Sequence, residues 1–465
     1  MNFLSTSSDY NPYAANGVMI VNDASKGRCY EASRDFPIGH VIFTETALVY
    51  GSFEESADDD DDDNDNNDNE VNMDIMVKAY GNRIKNFSGN LEKILDEICR
   101  LEKVQSLDTA RCFLQLLALV QLNNEGQLDD HHVMSSLELL SSMTACNLDQ
   151  CLNDVKNLRK AIPKLIHHTI SDSEAARYLG ILNTNQVELE MFGGSGLFVA
   201  TSIMEHSCEC NCSYTTHDNN LFMTAIKNIS KGERLSIDYG NNYYHPTYER
   251  QQQLFDTYKF QCNCSKCIGK DRTRAFKCVY CKNCCFYPLG SAMDADVENF
   301  TPCVMCSQRQ PVEHIAECLM HEESILTNTP STYEQIVQAS QTHLDESHNL
   351  LFFALYDLAM AVCSDARSSS KDSMKRFSEG LQLMTEVVRI FCNHVTGVHH
   401  EKVLFFDKLA QIALASNDYE KAKLYFQEAY EQATRAVGKD VPLTQKLYAL
   451  ATNTPRTITE LQQSY

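Results

Sequence analysis

Basic residues are scarce in this 465-residue chain: 40 Lys and Arg stand against 63 Asp and Glu, a formal net charge of -23. So acidic a chain does not hold bare nucleic acid by charge, since that takes Lys and Arg on phosphates. Basic protein tails suit it better. No Lys/Arg-rich cluster stands out as a nuclear address. An unbroken run of 18 apolar residues is also missing, and the opening MNFLSTSSDYNPY has no charged region followed by an apolar one. Neither a membrane span nor a secretory leader is therefore expected. The reading is an intracellular monomer, in the nucleus, the cytoplasm or both, with thiols reduced or bound to metal.

Cysteine, by contrast, is plentiful and clustered: of 20 in the chain, twelve lie between Cys208 and Cys306. Cys262, Cys264 and Cys267 form CxCxxC, three soft donors within six residues. Tetrahedral zinc needs a fourth, and Cys208 in HSC is the natural donor, which would pin the end of this stretch to its beginning. Further on, Cys278-x2-Cys281 and Cys303-x2-Cys306 read as a structural zinc ribbon with all four ligands from protein, Cys284 and Cys285 standing between as substitutes.

Three pieces in order, SIMEHSCECNCSY (Ser202 to Tyr214), AIKNISKGERLSIDYG (Ala225 to Gly240) and YKFQCNCSKC (Tyr258 to Cys267), carry HSCxxN, GExxxxxYG and FxCxCxxC. Together they resemble the SET domain, and more narrowly the SET and MYND (SMYD) family of protein lysine methyltransferases. The resemblance implies S-adenosylmethionine as cofactor, zinc as structural metal and a protein lysine, on a histone or another protein, as substrate. It implies that His206, with Ser207, Cys208 and Asn211, belongs to a cofactor loop. Tyr239 is implied as catalytic, Tyr258 as channel wall and Phe260 as packing on the adenine side. Lys26, Gly27 and Arg28 match a cofactor turn only in part, because Cys29 replaces its second Gly. Asn185 falls where the family has a cofactor-contacting Asn. Glu205 stands where Asn is usual; it would either pair with the cofactor's ammonium or repel its carboxylate. An inactive SET-fold scaffold for protein–protein contacts is the other reading.

A chain of this length holds two to four structural units. The expected architecture is α+β: a SET-type β core with a helical insertion, a zinc-binding post-SET region and an all-α tetratricopeptide-like C-terminal domain. The first part of the core covers residues 1–53, where GVMIV and HVIFTETALVY alternate as strands around a turn at Pro37-Ile38-Gly39. Residues 54–75 follow as an acidic loop with twelve carboxylates and no Lys, Arg, Cys or His between positions 54 and 74. The resembled family carries its MYND zinc module about here, so its absence is implied. Residues 76–183 are helical by period, including LEKILDEICRLEKV and AARYLGILNTN, with Cys112, Cys146 and Cys151 as core. Residues 184–245 return to strands, with Gly193-Gly194-Ser195-Gly196 read as a flexible turn. The clip spans 246–272, the second zinc segment 273–312 and the helical domain 313–465. In that domain a shift of 41 residues carries Glu379, Leu383, Gly397, Leu409 and Ala410 onto Glu420, Leu424, Gly438, Leu450 and Ala451.

Overall fold

A computed structural model describes residues 11–52 and 107–463, apart from 12, 25, 164, 190–192, 241–242, 283, 328–331, 341 and 369–372. The acidic segment and the first third of the helical insertion lie outside the described residues. The core opens with strands β1 (Val18–Asp23) and β2 (Gly27–Ala32), which pair antiparallel, then β3 (Val41–Thr46) and β4 (Val49–Ser52). Helices α1 (Leu107–Asn124), α2 (His131–Leu140), α3 (Leu148–Ala161) and α4 (Asp172–Asn185) form the described insertion. Its apolar faces close one cluster, centred on Phe113, Leu117 and Leu179, that also takes in Val49 and Leu197 of the sheet and Val199 just after it. Helix α4 starts where Ser171 and Glu174 make a reciprocal capping box, and it runs on to Asn185 before the chain turns extended.

Strands β5 (Gln186–Glu188) and β6 (Gly194–Leu197) come next, and β6 lies between β4 and β5. The glycine-rich segment expected as a flexible turn divides in two: Gly193 and Gly194, with φ of 59° and 112°, make the reversal after β5, and Gly194 to Gly196 run on as a buried central strand. At Gly196 the reason for glycine is close packing: a Cβ there would meet the Ala47 Cβ and the Phe198 ring at 3.2 Å and press on both. After β7 (Glu205–His206), strands β8 (Cys212–His217) and β9 (Asn220–Ala225) extend a sheet in the order β3-β9-β8, and β10 (Ser236–Ile237) pairs parallel with β7. Tyr30, Phe36, Phe43, Leu221 and Ile237 fill this core.

Helix α5 (Thr247–Tyr258), the short α6 (Ser265–Ile268) and strands β11 (Phe276–Lys277) and β12 (Cys285–Phe286) carry the thiol-rich region. The chain ends in helices α7 (Val312–Thr327), α8 (Tyr333–Ser340), α9 (Asn349–Ser368), α10 (Ser373–His394), α11 (His400–Ala415), α12 (Tyr419–Ala436), α13 (Pro442–Thr452) and α14 (Ile458–Gln462). The 41-residue shift carries the pair α10–α11 onto α12–α13, so the repeat seen in the residues is a repeat of helix pairs. Helix α9 has the length and composition to cross a membrane, although Asp357 and Asp365 break its apolar run; its Phe352, Leu355, Ala359 and Cys363 lie in the C-terminal core.

The helical domain docks directly on the strands. Thr224 on β9 donates its hydroxyl to the Val437 carbonyl at 2.6 Å. Gly39, with φ at +83°, sits so close that a Cβ would fall 2.5 Å from the Thr434 carbonyl oxygen. Tyr244 stacks on Phe352 at 3.8 Å between centroids and donates to the Ser347 carbonyl.

Candidate active site and zinc clip

The site is built on a carboxylate that sequence reasoning passed over. Glu45, on β3 and buried, accepts from the amides of Ala200 and Thr201 and from the Thr201 hydroxyl, each at 2.7 Å. Burial lifts its carboxyl to about 7, against the pull of those three donors. They fix the tight turn that aims Met204, Glu205 and His206 along β7. Asn211 then sews the loop to β10: its amide donates to Glu233 and to the Arg234 carbonyl, and its oxygen accepts from the Ser236 amide at 2.9 Å.

His206 joins the two halves of the site. Its Nδ1 accepts the Tyr239 amide at 3.2 Å, so the proton belongs on Nε2, which faces the Cys208 sulfur at 3.3 Å. The Tyr239 hydroxyl donates to the Met204 carbonyl at 2.5 Å. Around Tyr239 stand the rings of Tyr258, His206 and Phe260, with centroids at 4.8, 5.1 and 6.4 Å. Burial pushes the Tyr239 phenol well above its usual value, so it stays protonated at neutral pH.

These rings line one cavity of about 820 Å³, whose walls include Lys26, Gly27, Arg28, Asn185, Glu205 and an unbroken run from Phe260 to Ser265. Of the predicted cofactor set, all but Cys208 and Asn211 of the loop thus converge on one space, within the range usual for ligand sites. Asn185 stands at the end of α4, where its amide donates to the Thr144 and Ile181 carbonyls at 2.8 Å. Cys29 is buried in β2 and is absent from the cavity wall. Burial, with the neighbouring Glu205, pushes its thiol up.

The departure at Glu205 has a local answer. Its carboxylate pairs with Lys26 Nζ at 2.9 Å and lies 4.0 Å from the Arg234 guanidinium, which also meets Asp23 and Glu31. The hydrogen bond from Lys26 to Glu205 raises the lysine above its ordinary value. Sequence reasoning missed Arg234 and also the loop Ser142–Thr144 from the helical insertion, which forms a further wall. Arg28 crosses to it and donates to the Ser142 hydroxyl. No motif marks that loop; only the tertiary fold brings it here.

Cys208, Cys262, Cys264 and Cys267 converge with their sulfurs within 4.8 Å of one another, and Cys208 to Cys267 is 3.6 Å. Tetrahedral zinc with bonds near 2.3 Å requires sulfur separations of about 3.8 Å, so the four thiols fit it. Arg250, fully buried, points one nitrogen at Cys267 at 3.7 Å, a cation set against the negative thiolate shell. Cys278, Cys281, Cys303 and Cys306 form a second set, with sulfur pairs at 3.6 and 3.7 Å. After each CxxC the next residue, Lys282 or Ser307, turns left-handed, with φ of 56° and 58°, folding both thiols toward one point. Cys285 instead bonds the Tyr287 hydroxyl at 3.0 Å and lies outside the set, as does Cys284.

The family model described as "SET domain" matches residues 27–240. Over 79 residues, 17% of this chain and 18% of the relative, the chain is 37% identical to the histone-lysine N-methyltransferase SMYD3 of Mus musculus and of Homo sapiens. Against the protein-lysine N-trimethyltransferase SMYD5 of Homo sapiens it is 28% identical over 201 residues, 42% of this chain and 44% of that one. It thus spans less than half the length of these curated relatives. Among solved structures, the SET domain of LSMT bound to lysine and AdoHcy aligns over 97% of this chain and 94% of its own, with a TM-score of 0.33 and 12% identity.

Proposed function

Because residues 27–240 of this α+β chain form a SET domain similar to those of SMYD lysine methyltransferases, we propose that the protein is an S-adenosylmethionine-dependent protein-lysine N-methyltransferase. The observation that carries the reading is one cavity holding both an aromatic box and an ion pair. Lys26 and Glu205, 2.9 Å apart, offer a cation and an anion side by side, the complement of an amino-acid zwitterion. Phe260 offers an apolar face to a purine. The residues present therefore fit the cofactor, which when bound supplies an electrophilic sulfonium methyl.

The chain's own groups prepare the nucleophile. A lysine ammonium, free pKa about 10.4, must lose a proton before its lone pair can react. Entry between Tyr239, Tyr258 and Phe260 removes water from the ammonium and favours the neutral amine. The Tyr239 proton is committed to the Met204 carbonyl, so the phenolic oxygen presents lone pairs. It accepts an N–H from the amine and orients it, without acting as a base. The two four-cysteine sets would hold zinc in structural roles, each supplying four ligands. Tyr258 ends α5 and Phe260 precedes the clip, so an ion there would brace the channel's outer wall.

Calorimetry with S-adenosylmethionine on zinc-replete protein, followed by methyl transfer to a lysine peptide library, tests the proposal. One-to-one binding with peptide methylation is expected. Binding by neither the parent nor Glu205→Asn would overturn the reading, whereas binding restored only by Asn would make the natural chain a scaffold.

A further inference from the structure

A third donor set lies apart from both cysteine sites and from the cavity. His314 and Glu317 stand one turn apart on α7, and His343 comes from the loop before α9. Their ligand atoms lie within 4.8 Å of one another. The Glu317 carboxylate is 3.6 Å from His343 Nε2 and 4.0 Å from His314 Nδ1. We propose that His314, Glu317 and His343 form a binding site for a borderline divalent transition ion such as Zn²⁺, independent of the methyltransferase reading.

The two imidazoles are prepared for that role. His314 has its Nε2 at 2.9 Å from the Lys277 carbonyl, an acceptor only, so Nε2 carries the proton and Nδ1 keeps its lone pair toward Glu317. His343 has its Nδ1 at 2.7 Å from the Thr342 hydroxyl, and protonation of Nδ1 leaves Nε2 as the free donor facing the same carboxylate. Metal-bound histidines characteristically give their other N–H to a carbonyl or similar oxygen, which fixes tautomer and ring orientation. The His321 ring stacks on His343 with centroids 4.1 Å apart.

Two imidazole nitrogens and one carboxylate oxygen suit zinc, with tetrahedral ligand separations of about 3.3 Å at bonds near 2.0 to 2.1 Å. The 3.6 Å pair nearly meets this, and the exposed Glu317 closes the remainder by turning about its own side chain. A fourth position is left for water or for His321, one turn further along the same helix face. The ion would tie α7, β11 and the His343 loop together. The Lys277 amide already donates to the His343 carbonyl across that junction at 2.8 Å.

The test uses the full chain with both cysteine sets loaded. Zn²⁺ titration by calorimetry should show one more ion in the parent than in Glu317→Gln or His343→Ala, with at least tenfold weaker binding in each variant. Added Zn²⁺ should raise the melting temperature of the parent and leave that of Glu317→Gln unchanged. Glu317 is largely exposed, so this variant is expected to fold, which its retained cysteine-bound zinc would verify. Equal stoichiometry and affinity in parent and variants, or no uptake by the parent beyond the cysteine sets, overturns the proposal.

Discussion

Replacing Cys262 and Cys264 together by Ser isolates what the zinc clip does for the cavity. Two of four thiolates vanish, so the ion at this set should be lost while the ribbon set, with its own four thiols, keeps its metal. Six consecutive residues, Phe260 to Ser265, then lose the anchor that makes them a wall. Ordering them again on ligand binding costs about 1 kcal/mol per residue at the low end, or roughly 6 kcal/mol in all. The return is the burial of one large ring, Phe260, worth about 2 kcal/mol. Ordering loses, so the wall stays open and the cofactor binds without Phe260. The expected loss is that same contact, about 2 kcal/mol, or roughly thirtyfold in affinity for S-adenosylmethionine. The assay pairs calorimetry with metal analysis of the same sample. Zinc reduced by one equivalent with affinity within about threefold of the parent would refute the reasoning, since the wall would then stand without its ion.

Two further outcomes are expected. Tyr239→Phe keeps the ring contacts with Tyr258 and Phe260 but removes the oxygen; turnover should fall about 100- to 1000-fold, as when one preorganised polar group is deleted. Cofactor affinity measured beside it should stay within threefold, and an equal loss in both would make the residue a binding group only. Buried His400, on α11, is held near 4 by burial alone. Its unfolded value is about 6.5, so the contribution to stability is complete above that pH and is lost as pH falls toward 4. At pH 5 the loss is about 2 kcal/mol. Urea unfolding at pH 7 and 5 should show a pH dependence that shrinks in His400→Gln, and an unchanged dependence would contradict the assignment.

The features most legible in the residues were those whose chemistry is local. CxCxxC and the paired CxxC knuckles declare themselves because four soft donors have few other uses, and the zinc requirement itself pointed to Cys208, 59 residues away from Cys267. The 41-residue rhythm was legible because Leu409 and Ala410 in one helix pair and Leu450 and Ala451 in the next are buried at matched positions. Gly193 to Gly196 was legible in part, because glycine signals a bend and a tight contact alike: the first two positions bend, and only the distances from Gly196 to Ala47 and Phe198 show the contact. The helical pattern AARYLGILNTN runs past the boundary drawn at 183, and α4 follows the pattern to Asn185, with the Thr184 hydroxyl bonding the Gly180 carbonyl and the Asn185 amide that of Ile181. The fate of Glu205 was illegible for a different reason. Its partner Lys26 lies 179 positions away, and no spacing rule links them.

His206 makes the clip and the aromatic box a single unit. With its Nδ1 accepting the Tyr239 amide and its Nε2–H facing Cys208, one imidazole connects a backbone next to the proposed reacting group with a zinc ligand. A thiolate on zinc is an anion and draws that N–H more strongly than a neutral thiol. Metal loading therefore fixes the tautomer, and the tautomer keeps Nδ1 as acceptor for Tyr239. Without the ion, a protonated Cys208 competes less well for the proton, and the opposite tautomer would turn Nδ1 into a donor against the Tyr239 N–H. Two routes then lead from zinc to the site. One runs through the wall carrying Phe260, the other through the ring of His206 to the strand end that presents Tyr239. The first governs how tightly the cofactor is covered, and the second governs where the phenolic oxygen stands.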